Sequence, residues 1–142
     1  MRETSHHPEI ASKIADSFAR QNMMSLLKAE ICVENPGQAI ITAPILRETH
    51  QQHGFAHAAV AFALGDSAAG YAALSVMPLD REVLTAEMKI NLLAPAKGQR
   101  LRAIGRVIKP GKRLVIVGAT VLALDGDAET EIAILQGTMV PV

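Results

Sequence analysis

The chain has 142 residues, the size of one ordinary domain with room for a sizeable core, and its 14 Lys and Arg balance 14 Asp and Glu. With no net charge, one tyrosine and three phenylalanines, it offers nucleic acid neither the field nor the stacking surface that binding needs, and it gives an anionic membrane no attraction. The single cysteine, Cys32, has no internal disulfide partner, and the first residues lack the basic-then-apolar layout of a secretory signal, so the expected compartment is the cytoplasm.

Residues 8 to about 21 read as an amphipathic outer helix: Pro8 suits a first-turn position, and Ile10, Ile14 and Phe18 recur every fourth residue as one apolar stripe. Leu26 to Val33 and Gln38 to Ile45 are strand-like, and "ENPGQ" between them carries the Pro-Gly chemistry of a tight turn, which predicts a β-hairpin. The polar stretch Arg47 to Gly54 predicts a loop. A helix apolar all round follows from near Ala56 to about Val76, with Pro78 just beyond it. The stretch Gly54 to Leu79 has the length of a membrane span, but Asp66, His57 and several small residues interrupt it, and a lone span inside a strand-rich chain has no place.

After the helix the apolar period becomes two. Leu84, Ala86, Met88, Ile90 and Leu92 alternate with Thr85, Glu87, Lys89 and Asn91, which predicts a strand with one wet face, Glu87 and Lys89 lying towards solvent. Strands over Leu101 to Lys109, Leu114 to Leu124 and Glu129 to Val140 are separated by "KPGKR" and "DGDA", so the last four strands are expected to form an antiparallel meander. The chain contains no internal repeats or linker-like segments. An all-round apolar helix must be covered by the only partner available, the sheet, so the predicted class is α+β: one domain over 1–142, a curved antiparallel sheet wrapped around a long central helix, with the N-terminal helix outside.

Between Gly54 and Leu79, Asp66 is the only residue charged at neutral pH. Burying an unpaired carboxylate costs several kcal/mol, so Asp66 needs a partner or a chemical role. It is either a cap or a sheet-margin residue in contact with water, or a general base or nucleophile with a tuned pKa. His57 starts the same helix, where the first backbone N–H groups, those of Ala58 and Ala59 among them, lack intrahelical partners and can hold developing negative charge. The two residues are nine positions apart, about 13–14 Å along an α-helix and roughly half a revolution around it, so one copy of the helix cannot aim both at one atom. A two-fold dimer removes that difficulty, and a site using both residues would be shared.

The spacing of His50, His53 and His57 fits no strong zinc signature, so no metal is expected. The turn Lys109, Pro110, Gly111, Lys112, Arg113 gathers three cations where the backbone turns sharply, as a phosphate-bearing ligand would need and as a solvated hairpin would also show. No G-x-S-x-G elbow, Walker A motif or dinucleotide glycine fingerprint is present.

The segments "QQHGFAHAA", "ALGDSAAGYAAL", "VLTAEMKINLLAPAKG" and "RVIKPGKRLVIV" together resemble the PaaI-like hotdog-fold thioesterases over residues 20 to 142. The family pattern N-x-x-G-x-x-H-G-G, with an Asp nine positions after the His, falls here on Gln51, Gly54, His57, Ala58, Ala59 and Asp66. The resemblance implies hydrolysis of an acyl-coenzyme A thioester at a dimer interface, with coenzyme A as part of the substrate, no separate cofactor, and self-association to a dimer or a dimer of dimers. It implies Asp66 as general base or nucleophile, the Ala58 N–H polarising the thioester carbonyl, His57 and Gln51 orienting thioester or water, and a hydroxyl from Thr85 near the scissile bond. Gly54, Phe55, Ala59 and Ser67 would lie around the substrate, and Lys109, Gly111, Lys112 and Arg113 align with a segment that contacts coenzyme A. Two departures stand out: Gln51 replaces the usual Asn, and Ala58 and Ala59 replace a glycine pair, which keeps the N–H donors but adds methyl groups where a substrate approaches the backbone. The same pocket could alternatively bind acyl-coenzyme A without turnover, or hydrate an enoyl thioester.

Overall fold

The computed structural model describes residues 8–142; the remainder of the single domain expected over 1–142, residues 1–7, lies outside the described residues. In chain order the elements are α1 (Pro8–Ala19), α2 (Asn22–Leu26), β1 (Glu30–Cys32), β2 (Gln38–Pro44), a 3-10 turn (Arg47–Thr49), α3 (Ala58–Leu74), β3 (Val83–Leu92), β4 (Arg100–Lys109), β5 (Val115–Asp125) and β6 (Ala128–Pro141). The six strands form one antiparallel sheet in the order β1-β2-β4-β5-β6-β3.

The central helix α3 packs against β2, β3, β4, β5 and β6 together, so the sheet curves around it, the hotdog arrangement that the resemblance implies. Small residues make the close seat possible. A Cβ on Gly105 would come within 2.2 Å of the Ala68 backbone, so this glycine lets helix and strand β4 touch directly. Leu64, Ala68 and Ala72 from the helix meet Ala103, Val117, Ala119, Val121 and Leu135 from the sheet in one continuous buried cluster. The outer helix α1 lays Ile10 and Ile14 into that core, and Phe18 meets the Tyr71 ring edge-on, the centroids 5.9 Å apart.

Several sequence expectations are corrected. The strand predicted to begin at Leu26 starts at Glu30, because Asn22–Leu26 closes a helical turn instead: Met24 and Leu27 are buried while Met23 and Leu26 lie outside, a three-residue repeat that a short apolar run cannot announce. The segment Arg47 to Gly54 is not wholly loop, since it opens with the 3-10 turn. Helix α3 is shorter than 56–76 because Ala56 bridges His50 and donates its N–H to Ala96, so the first helical residue is Ala58. At the other end Ser75 turns the chain and ties it to the β1–β2 hairpin by accepting from the Gly37 N–H at 2.7 Å.

The four-strand meander is also corrected: β4, β5 and β6 form one, but β3 pairs with β6 at the far edge, beyond β5 and β6 from β4. Its link to β4, residues 93–99, is too long for a tight hairpin, and seven residues can span the three strand spacings, about 14 Å, that it must cross. Nor does β3 keep a clean wet face. A bulge between Thr85 and Glu87 reverses the alternation, turning Thr85 towards the helix and leaving Leu84, expected inside, 58% exposed. The helix itself is not covered all round, since Ala58, Ala59 and Phe62 are exposed along its first turns.

Candidate functional site

Asp66 lies half-buried on α3 and its Oδ1 accepts a hydrogen bond from Thr85 Oγ1 at 2.7 Å. The β3 bulge makes this contact possible, because without it Thr85 would point away from the helix. Burial raises the Asp66 pKa above its ordinary value of 3.8, and the Thr85 hydrogen bond pulls it part of the way back. The hollow beside the carboxylate, about 310 Å³, is walled by Ser17, Gln21, Ser67, Tyr71, Leu84 and Met139, among others. A polar chain closes its outer wall: Ser67 Oγ donates to Gln21 Oε1, Gln21 Nε2 donates to the Tyr71 hydroxyl, and that hydroxyl shares a hydrogen bond with Ser17.

Gln21, Ser17 and Tyr71 were not among the residues singled out from the sequence. Tyr71 carried a signal, since the only tyrosine of the chain sits in an alanine- and glycine-rich buried helix, where its hydroxyl needs a partner. Gln21, in the α1–α2 joint, carried none.

At the opposite end of the helix His57 is the N-cap. Its Nδ1 accepts the Ala59 N–H at 2.9 Å, so the neutral ring carries its proton on Nε2. That hydrogen bond occupies one of the two donors expected from the sequence and leaves the Ala58 N–H without an acceptor among the described residues. Gln51 braces the preceding loop, its Oε1 accepting from the N–H groups of His53 at 2.6 Å and Phe55 at 3.2 Å, which leaves its amide NH₂ to donate. Gly54 meets nothing within 4 Å of a would-be Cβ, but its φ of +83° is the left-handed turn that this bracing requires, so its role is conformational. Gln51, Phe55, His57 and Ala58 line a second hollow of about 390 Å³ with Leu92 and Ile132.

The two hollows share no residue. The chain thus brings Asp66, Thr85 and Ser67 together at one end of β3 and Gln51, Phe55, His57 and Ala58 at the other, and does not unite the two groups. The β4–β5 hairpin is separate again. Gly111 and Lys112 line a third hollow with Val76, Met77, Pro78 and Arg81 near the C-terminal end of α3, whereas Lys109 and Arg113 stand exposed outside it. Arg81, absent from the sequence expectations, adds a cation there. Among the described residues no three His, Cys, Asp or Glu lie close enough to hold a metal ion, and no helix is long and apolar enough to cross a membrane.

Residues 53–130, more than half of the chain, match the profile of the Thioesterase superfamily. The chain belongs to this family. A thioesterase family protein from Silicibacter pomeroyi is 41% identical, with a TM-score of 0.91 over 94% of this chain and 98% of that one. A Saccharolobus solfataricus protein that carries the name of an esterase is 42% identical over 77 residues, 53% of this chain and 48% of its own, so the thioesterase-superfamily chain spans about half the length of this curated relative. Two more distant structures share the fold: the PaaI protein of the phenylacetic acid degradation operon of E. coli, with TM-score 0.86 and 18% identity over 97% of this chain and 96% of its own, and BH2602 from Bacillus halodurans, solved with CoA, with TM-score 0.75 and 22% identity over 94% and 89%.

Proposed function

We propose that this chain hydrolyses an acyl-coenzyme A thioester in a site shared between two copies, with Asp66 of one facing His57 and Ala58 of the other. The observation that carries this reading is the helix carboxylate itself, half-buried, hydrogen-bonded to Thr85 and raised in pKa in a member of a thioesterase family. A group so placed takes a proton more readily than an ordinary carboxylate does.

Asp66 removes a proton from a water, whose oxygen bonds to the thioester carbonyl carbon, and Thr85 steadies the carboxylate. The carbonyl oxygen becomes an oxyanion held by the Ala58 N–H and the Nε2–H of His57, at a helix N-terminus whose dipole favours negative charge. The C–S bond then breaks, the carbonyl re-forms as the acid, and the thiolate leaves as coenzyme A with the proton that Asp66 took. Direct attack by Asp66, through an acyl-enzyme anhydride that water then opens, uses the same groups. Ser67, Phe55 and the exposed methyls of Ala58 and Ala59 would flank the acyl group, and Lys109, Gly111, Lys112 and Arg113 would meet the phosphates of coenzyme A. BH2602, which shares the fold, is solved with CoA, which supports that choice of thiol.

Sharing is supported by the way β3 lies between the two hollows. Thr85 borders one and Leu92 the other, so a second copy running antiparallel along β3 sets the Asp66 end of each chain against the His57 end of its partner. Release of free thiol across short, medium, long and aromatic acyl-coenzyme A esters tests the function. Wild type is expected to turn over at least one class and Asp66→Asn to lose about 10²–10⁴-fold. Full activity in Asp66→Asn would overturn the role of Asp66, and tight binding without thiol release would make the pocket a binding module.

A further inference from the structure

Gln21, Ser17, Ser67 and Tyr71 close one end of the hollow beside Asp66, and the chemistry above uses only Ser67 of the four. Gln21 sits at their centre. Ser67 Oγ donates to its Oε1 at 3.3 Å, its Nε2 donates to the Tyr71 hydroxyl at 3.1 Å, and Ser17 meets that hydroxyl at 3.1 Å. These lengths lie at or past the long end of the normal range, and among the described residues the Gln21 amide keeps one N–H and one lone pair unused. The wall is tied loosely and has capacity for a further polar atom from inside the hollow.

The fold does not require this side chain. Gln21 is the N-cap of α2, but it makes no side-chain cap hydrogen bond; its backbone carbonyl takes the N–H groups of Met24 at 3.0 Å and Ser25 at 3.2 Å instead. The lining indicates what the hollow can take. Glu82 lines it and no Lys or Arg does, so neither the phosphates of coenzyme A nor an acyl group ending in a carboxylate finds a counter-charge there. Its volume of about 310 Å³ is at the small end of small-molecule sites, which suits a short acyl group. Asp66 and Gly70 lie one above the other on α3, as do Ser67 and Tyr71, so the wall stands about 5–8 Å along the axis from the carboxylate, the reach of roughly four to six bonds of an extended chain. Gly70, with no side chain, keeps that path open over Met139.

We propose that Gln21 is a specificity-determining residue: the acyl group enters the hollow beside Asp66, and Gln21, with the hydroxyls of Ser67 and Tyr71, stops it and hydrogen-bonds an uncharged polar group at its end. The inference rests on the hydrolytic reading and names its substrate class, a short acyl group ending in a hydroxyl or carbonyl oxygen. A plain hydrocarbon end of the same length leaves the amide facing an apolar group, so the wall selects against that end as well as for the polar one.

Thiol release from straight-chain acyl-coenzyme A esters of about four to eight carbons, each with and without a terminal hydroxyl, reads this preference as a ratio of kcat/KM values. In wild type the hydroxyl is expected to raise kcat/KM about tenfold at the best length. Gln21→Leu, similar in size, is expected to bring the ratio to one or below, and Tyr71→Phe, which keeps the ring against Phe18, to lower it too. Gly70→Ala places a methyl 3.7 Å from Met139, an ordinary contact, and is expected to move the best length down by about one carbon. A ratio of one in wild type, or a ratio that neither Gln21→Leu nor Tyr71→Phe lowers, overturns the role of Gln21. An equal loss for every ester in Gln21→Leu does so as well, by placing the amide against the pantetheine arm. Binding of the matching thioethers, which cannot be hydrolysed, separates this inference from the reading beneath it. A hydroxyl preference in binding that Gln21→Leu abolishes, in a chain that releases no thiol, would sink hydrolysis and leave Gln21 in its role; thiol release with no such preference would do the reverse.

Discussion

Asp66 and Thr85 form a two-residue device in which burial pushes a carboxylate up and one hydroxyl pulls it down. Thr85→Ala removes only the downward part, so the acidic limb of the kcat/KM profile is expected to move to higher pH, with Thr85→Ser restoring the wild-type limb; an unmoved limb in Thr85→Ala would detach Thr85 from the titrating group. Stability has a definite sign as well. The folded chain binds the Asp66 proton more tightly than the unfolded chain does, so this contribution is full below 3.8 and is lost as pH rises through the higher folded value. Asp66→Asn cannot ionise and is expected to melt above wild type at pH 7, with the gap closing in acid, as thermal unfolding across pH would record. Asp66 was legible in the sequence because it interrupts a long uncharged run. Thr85 was placed near it only by the family resemblance, since strict alternation puts its side chain on the wet face and a bulge of one residue leaves no mark in the pattern.

Among the elements, α3 was legible because its apolar content exceeds what any half-exposed helix needs, and its N-cap histidine and final Ser75 moved each end inward by only about half a turn. Its seat on β4 depends on Gly105. Gly105→Ala drives a methyl into the Ala68 backbone and is expected to cost about 2–3 kcal/mol in urea unfolding, whereas an unchanged midpoint would mean that helix and strand are not in direct contact. The helical turn α2 and the position of β3 were not legible. Met23, Met24, Leu26 and Leu27 suit a strand and a helix equally well, and strand neighbours are chosen by the reach of the 93–99 link and by the long β6, not by order in the chain.

For the whole molecule, one chain presents two hollows at opposite ends of a ten-residue edge strand, each walled by its own residues. Helix pitch alone showed from the sequence that Asp66 and His57 could not converge within a chain; which strand lies between the two hollows required the sheet order, and the Ser17–Gln21–Tyr71 wall required the packing of α1 on α3. An active site completed by a second copy is tested most directly by complementation. Asp66→Asn and His57→Ala chains, each inactive alone, are refolded together and assayed for thiol release. A shared site predicts about a quarter of wild-type activity in an equal mixture, because half the dimers are mixed and each holds one intact Asp66–His57 site. A mixture no more active than its two components would contradict it.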